Sequence, residues 1–168
     1  MTFQDLNSDV LEQLTLPTIY YNCGKLGVHK SSFISGAWND IHESLRTISS
    51  ERRYPLIIAS EILYNEHYYS SIWNIMTSSL AKGGISVLAS KRFYFGVGGG
   101  ATPFINFIKQ QGNVTEIEVT DCPKVHSRIN CIKMSDDCGK EDIWSIVQGP
   151  VFEDKKSNLR EIIILSRS

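Results

Sequence analysis

Two hydrophobic periods take turns along this chain. Residues 1–5 read as a short strand ending on a carboxylate. Asn7 or Ser8 can cap a helix from about Asp9, with Val10, Leu11 and Leu14 on one face. Pro17 is expected to interrupt it, residues 19–22 to form a second helical piece and residues 23–30 to turn. Residues 31–36 then read as a strand and 41–48 as a helix. Pro55 precedes an apolar run at 56–59, which predicts a buried strand. An amphipathic helix is expected over about 66–80, stopped by Lys82-Gly83-Gly84. Strand 85–89, helix 102–111 and strands 114–119 and 161–165 complete the series.

Strand and helix in alternation predict an α/β fold with a largely parallel sheet. Between the last two strands lies a polar insertion, residues 121–158. Those strands are therefore expected to pair antiparallel, as a hairpin with a long insertion. One domain is the expectation at 168 residues. With 17 basic and 18 acidic side chains the net charge is −1, so no overall field steers the chain to nucleic acid or to an anionic membrane. No basic n-region with an apolar core opens the sequence, so a secretory signal is not expected, and no apolar run approaches the ~20 residues of a membrane helix.

Four positions carry candidate chemistry. The first is the run from Ala89 to Gly100: a strand, then Lys91, Arg92, Phe93, Tyr94 and Phe95, then Gly96, Gly98, Gly99 and Gly100, then a helix. Residues 96–101 satisfy G-x-G-x-x-G/A, but six residues separate them from the strand. In a dinucleotide site the glycines follow the strand directly. A loop with close backbone passage accounts for them equally well.

Asp5 is the second, an acidic group at a strand end that could accept from ribose hydroxyls or simply cap a helix. The third is Ser60-Glu61-Ile62-Leu63-Tyr64-Asn65, where a carboxylate and an amide at the mouth of a sheet could hold a substrate nitrogen. A solvated Glu61 and a capping Asn65 fit as well. Trp38 is the fourth, an aromatic two residues past a strand that can cover a purine face or pack at a rim. His29, His42 and His67 read as surface or cap residues. Cys122, His126, Cys131 and Cys138 form C-x3-H-x4-C-x6-C, but with no C-x-x-C pair no metal is assigned.

At these segments the chain resembles the seven-stranded S-adenosylmethionine-dependent methyltransferases, and among them most the protein-histidine N-methyltransferase family. The resemblance runs in order through residues 3–8, 15–17, 33–38, 60–65 and, most specifically, 88–91 with 94–100. It implies a Rossmann-like methyltransferase sheet that binds S-adenosyl-L-methionine. By this likeness Gln4, Asp5 and Leu6 would serve the ribose, Gly36, Ala37 and Trp38 the adenine, and Ser60 the cofactor pocket. Ala37 stands where the family has an acidic residue. Glu61, Tyr64 and Asn65 would form the acceptor site. Lys91, Tyr94, Phe95, Gly96, Gly98, Gly99 and Gly100 would shape it as a substrate loop.

The acceptor implied is a histidine of a protein, one of the large ribosomal subunit in the known members, in cytoplasm or nucleus. The same likeness places a first strand and its glycine-rich cofactor loop upstream of Met1, between the strands at 1–5 and 56–59. Two strand edges are then expected to be unpaired, and the 168 residues alone to be inactive. The competing expectations are a non-catalytic protein-binding module and a nicotinamide-nucleotide oxidoreductase fragment using residues 96–101.

Overall fold

The computed structural model describes residues 1–48, 53–112, 114–116, 144–148 and 160–167. The chain divides into two compact units, Met1–Ser50 and Glu51–Ser168.

In the first unit β1 (Thr2–Asp5) pairs in parallel with β2 (Ser32–Ser35), from Thr2 opposite Ser32 to Asp5 opposite Ser35. Phe3 and Phe33 stack across the pair, with ring centroids 5.7 Å apart. The connection is helical: α1 (Ser8–Val10), a π-helical turn (Leu11–Thr15) and α2 (Leu16–His29). Pro17 does not break this run. The Leu16 N–H bonds back five residues to the Leu11 carbonyl, and that wider turn accommodates the proline ring next in line. The expected turn at 23–30 is also helical. It is reduced to a kink at Gly24, whose φ of 63° and ψ of −166° lie outside the helical region. Helix α3 (Trp38–Ile48) follows β2 and buries Ile41 and Leu45.

The second unit is a five-stranded mixed sheet in the order β3-β4-β7-β6-β5. Strands β3 (Tyr54–Ser60) and β4 (Leu80–Lys91) are parallel. Lys82-Gly83-Gly84 does not end a helix. α4 (Tyr69–Ser79) stops earlier, and these residues lie in a bulge between the pairs Tyr54–Leu80 and Leu56–Ile85. The helix terminates sooner because Arg167 of β7 (Arg160–Arg167) supplies the cap. Its Nη1 donates to the carbonyls of Thr77 at 3.0 Å and Leu80 at 2.8 Å. Alternate residues of β4 and β7, among them Ser86, Leu88, Ile163 and Leu165, are buried. Helix α5 (Ala101–Gln110) adds Phe104, Ile105 and Ile108 to this core.

Two further expectations change. β7 is antiparallel as foreseen, but its partners are β4 and β6 (Trp144–Gln148). β6 lies within the supposed insertion and separates β7 from β5 (Val114–Glu116). Three to five consecutive ladder pairs favour that arrangement over a direct hairpin. The rest of the insertion lies outside the described residues. Secondly, β3 is not buried on both faces: Leu56 is 48% and Ile58 73% exposed. β3 is an edge strand, bonded only to β4, and β1 is bonded only to β2, so each has an edge with no strand partner among the described residues.

Candidate functional site

Each unit gathers some of the predicted residues at the carboxyl ends of its parallel strands, where α/β folds place ligands. In the first unit β1 and β2 end side by side. The Gly36 N–H donates to the Asp5 carbonyl at 3.1 Å, and Asp5 Oδ1 accepts from the Asn7 N–H at 2.9 Å. The carboxylate is thereby fixed by one oxygen. Gln4 ties the two strand ends together: its Nε2 donates to the Gly36 carbonyl at 3.0 Å, and its Oε1 accepts from Trp38 Nε1 at 3.2 Å. Gly36 has a φ of 145°, and a Cβ there would press on Ile41 at 3.1 Å, so the turn from β2 into α3 suits glycine. Ala37 is half-buried and immediately precedes that helix, while Leu6 is 62% exposed.

In the second unit β3 ends at Ser60, paired with Ala89, and the chain turns sharply at Glu61. Glu61 is the one described residue other than glycine with a positive φ, 57°. Its N–H still reaches the Ala89 carbonyl at 2.8 Å, which holds the backbone in that unfavourable region. The exposed carboxylate accepts a 2.6 Å hydrogen bond from Tyr94 Oη. Tyr94 Oη in turn accepts from Ser90 Oγ at 3.3 Å and lies 3.5 Å from the Lys91 N–H. The amide can only donate, so the single phenol proton is directed to Glu61. Burial, and next the bond to Glu61, push the Tyr94 phenol above its usual pKa, so it stays a donor across neutral pH. Tyr64 meets Tyr94 edge to face at 6.4 Å, and the Lys91 ammonium lies 5.2 Å from the Tyr94 ring centre. Asn65 is drawn away from this cluster: its Oδ1 caps the next turn by accepting from the His67 N–H at 3.0 Å.

The loop carrying Tyr94 is closed on itself. The Tyr94 N–H donates to the Gly99 carbonyl at 2.7 Å, and the Tyr94 carbonyl accepts from Val97 and Gly98. Gly99 passes so close to the backbone of Leu63 and Tyr64 that a Cβ would lie 2.4 Å from both. Gly100 passes Arg92 in the same way, with 2.2 Å to its carbonyl oxygen. Phe95 and Gly96 lie at the exposed tip. Outside the predicted set, Tyr69 fastens the loop at its exit: its Oη accepts from the Gly100 N–H at 2.9 Å. Arg92 fastens the entrance through a 3.1 Å ion pair with Glu161, a carboxylate buried in β7. These arrangements disfavour the dinucleotide reading. The Gly100 N–H, which a pyrophosphate would use at the start of α5, is already taken by Tyr69.

No family model matches the chain. In backbone it gives a TM-score of 0.49 with the N-methyltransferase NodS from Bradyrhizobium japonicum WM9 in complex with S-adenosyl-L-homocysteine, at 16% identity over 99% of this chain and 65% of that one. In sequence it is 34% identical over 109 residues to a histidine protein methyltransferase 1 homolog of Dictyostelium discoideum, covering 65% of this chain and 33% of that protein. The Rattus norvegicus counterpart is 32% identical over 145 residues, covering 71% and 39%.

By sequence this chain is a relative of the histidine protein methyltransferases. It spans between a third and two-fifths of the length of those it matches. In this methyltransferase relative the predicted residues fall into two sets, one per unit. Gln4, Asp5, Leu6, Gly36, Ala37 and Trp38 lie in the first; Ser60, Glu61, Tyr64, Asn65 and the loop from Lys91 to Gly100 lie in the second. Tyr69 escaped notice because it occupies the apolar face of an amphipathic helix, and Glu161 because it opens an apolar strand. The Cys122, His126, Cys131 and Cys138 cluster lies outside the described residues. Among the described residues no group of His, Cys, Asp or Glu could hold a metal ion, and no helix is long and apolar enough to cross a membrane.

Proposed function

We propose that this chain carries the acceptor side, and part of the cofactor side, of an S-adenosylmethionine-dependent methyltransferase that modifies a histidine side chain of a protein. The observation that carries this is the Glu61–Tyr94 pair at the carboxyl end of β3, beside a closed glycine loop, in a chain related to histidine protein methyltransferases. We extend the proposal to a large-subunit ribosomal protein as substrate, and to action in the cytoplasm or nucleus.

The residues of the first unit fit the nucleoside part of the cofactor. Asp5 offers a carboxylate held by one oxygen, suited to a ribose diol. Gly36, Ala37 and Trp38 offer a narrow turn and an indole that Gln4 keeps in orientation. S-adenosylmethionine supplies an electrophilic methyl group for the acceptor nitrogen. The chain's own contribution is placement, because a neutral imidazole is already a nucleophile and gains mainly from being held in line. Glu61 and Tyr94 supply a fixed polar edge, Tyr64 an aromatic wall and the closed loop a rigid rim.

Calorimetric titration of the 168-residue chain with S-adenosylmethionine, followed by a methyl-transfer assay on ribosomal protein, tests the proposal. Binding with methylhistidine in the hydrolysed product supports it. Binding of protein without cofactor or methyl transfer, both by this chain and by one extended upstream of Met1, would replace it with the binding-module reading.

A further inference from the structure

We infer that Glu61 recognises the N–H edge of a neutral imidazole, and that Tyr94 is the positioning residue that aims the Glu61 carboxylate at it. The inference deepens the methyltransferase reading, since it rests on histidine being the acceptor. It names which ring nitrogen the chain holds, and so which one is left free.

Glu61 is constrained at every level the structure shows. Its backbone sits at a φ of 57°, fixed by the bond from its N–H to Ala89. Its carboxylate receives the Tyr94 proton at 2.6 Å, and Ser90 and Lys91 orient that phenol from the far side. Such an arrangement fixes the direction of the carboxylate, which as an acceptor with about four positions can serve more than one donor. The side chain is nonetheless exposed, so a ligand can reach it.

Three features select a neutral aromatic N–H donor. The Tyr64 ring stands at 6.4 Å from Tyr94, at 36% exposure, and gives a planar ring a face to pack against. The Lys91 ammonium near the Tyr94 ring offsets the pull of Glu61 on a cation, which disfavours a lysine ammonium or an imidazolium. The loop is closed and latched by Tyr69, so the pair is formed before any ligand arrives. A neutral imidazole bound through its N–H to Glu61 presents its other nitrogen, with the lone pair, away from the carboxylate. Glu61 thereby chooses the tautomer, and the choice fixes a single methylated position.

The probe is imidazole itself, compared with 1-methylimidazole, which has the same ring and no N–H. Both are titrated into the full 168-residue chain at a pH where they are neutral, with the Glu61 amide and the Tyr64 ring followed by NMR. Imidazole is expected to bind roughly fivefold more tightly, the worth of one exposed hydrogen bond to a charged group. Glu61→Ala is expected to erase that preference. Tyr94→Phe, which keeps the carboxylate and removes its guide, is expected to lower it roughly threefold. Should Glu61→Ala not fold, Glu61→Gln replaces it with a reduced preference as the expected result. Equal binding of the two probes, or a preference that survives loss of Glu61, overturns the inference. Absence of methyl transfer by a chain extended upstream of Met1, with the imidazole preference intact, would instead remove the methyltransferase reading alone.

Discussion

The phenol of Tyr69 engages both backbone groups of Gly100, accepting from its N–H at 2.9 Å and lying 3.1 Å from its carbonyl oxygen, with the Leu63 carbonyl oxygen at 3.4 Å. The ring is 2% exposed and packs edge-on against Phe104 at 5.1 Å. One side chain thus joins the aromatic core of α4 and α5 to the exit of the glycine loop. Tyr69→Phe leaves the packing in place and strands a buried amide. The expected cost is about 1–3 kcal/mol, read from the midpoint of urea unfolding at unchanged slope. A midpoint equal to that of the wild type would show that the latch contributes nothing.

The same phenol gives the chain an alkaline limit. Burial pushes the Tyr69 pKa from 10.0 to about 12. The folded state therefore holds its proton where the unfolded state loses it. The associated stability is complete below pH ~10 and is lost as the pH rises through about 12. Two units correspond to about 2–3 kcal/mol. Unfolding free energies measured from pH 9 to 12 should fall more steeply for the wild type than for Tyr69→Phe, and the two curves should converge at the alkaline end.

The apolar runs of β3 and β7 look alike in sequence, yet only one is buried. Ile163 is 0% exposed between β4 and β6, whereas Ile58 is 73% exposed on the edge strand. Ile163→Ala should therefore cost about 2–5 kcal/mol. Ile58→Thr should change stability by less than about 0.5 kcal/mol. Denaturation of the two variants side by side checks this, and a large loss for Ile58→Thr would mean that the outer face of β3 is covered in solution.

That contrast shows where the sequence was legible. Strand positions were readable because period-two burial in β4 and β7 follows directly from their side chains. So was the closeness of backbone at Gly99 and Gly100, since four glycines in five residues have few other uses. The edge position of β3 was not, because periodicity records that a residue is apolar and says nothing of which neighbour covers it. Pro17 misled for a related reason: its cost depends on the width of the preceding turn, and a π-turn is set by the chain around it. β6 is hidden inside a polar segment whose composition outweighs the strand-forming Trp144, Ile146 and Val147. Of the site, Glu61 and Tyr94 are each visible as candidates, but their pairing is not, since a contact between residues 33 positions apart has no local signature.

The two ends of the glycine run should differ sharply in what they tolerate. A Cβ on Gly99 would meet the Leu63 carbonyl oxygen and the Tyr64 carbonyl carbon at 2.4 Å, and both are backbone atoms that cannot swing aside. Gly99→Ala should cost about 3 kcal/mol, at the upper end for overpacking, and should shift the Tyr94 resonances. A Cβ on Gly96 meets nothing within 4 Å, so Gly96→Ala carries only the strain of its φ of 83°, about 1–2 kcal/mol. If both variants lose the same stability, the loop is not closed as described.

The proposed cofactor side is tested most directly at Gln4. Its amide is the link between the Gly36 turn and the Trp38 indole, and Asp5 lies next to it on β1. Gln4→Ala should release the indole without touching the carboxylate, while Asp5→Asn should keep the fold and discard the charge that a ribose diol would meet. If the first unit holds a nucleoside, Asp5→Asn weakens S-adenosylmethionine binding by roughly tenfold, as expected for loss of a charged hydrogen bond. Gln4→Ala weakens it less and shifts Trp38 fluorescence in the free chain. Calorimetry and fluorescence on the same samples separate the two effects. Unchanged affinity in Asp5→Asn would remove Asp5 from the site and leave it as the carboxylate that caps the turn at Asn7.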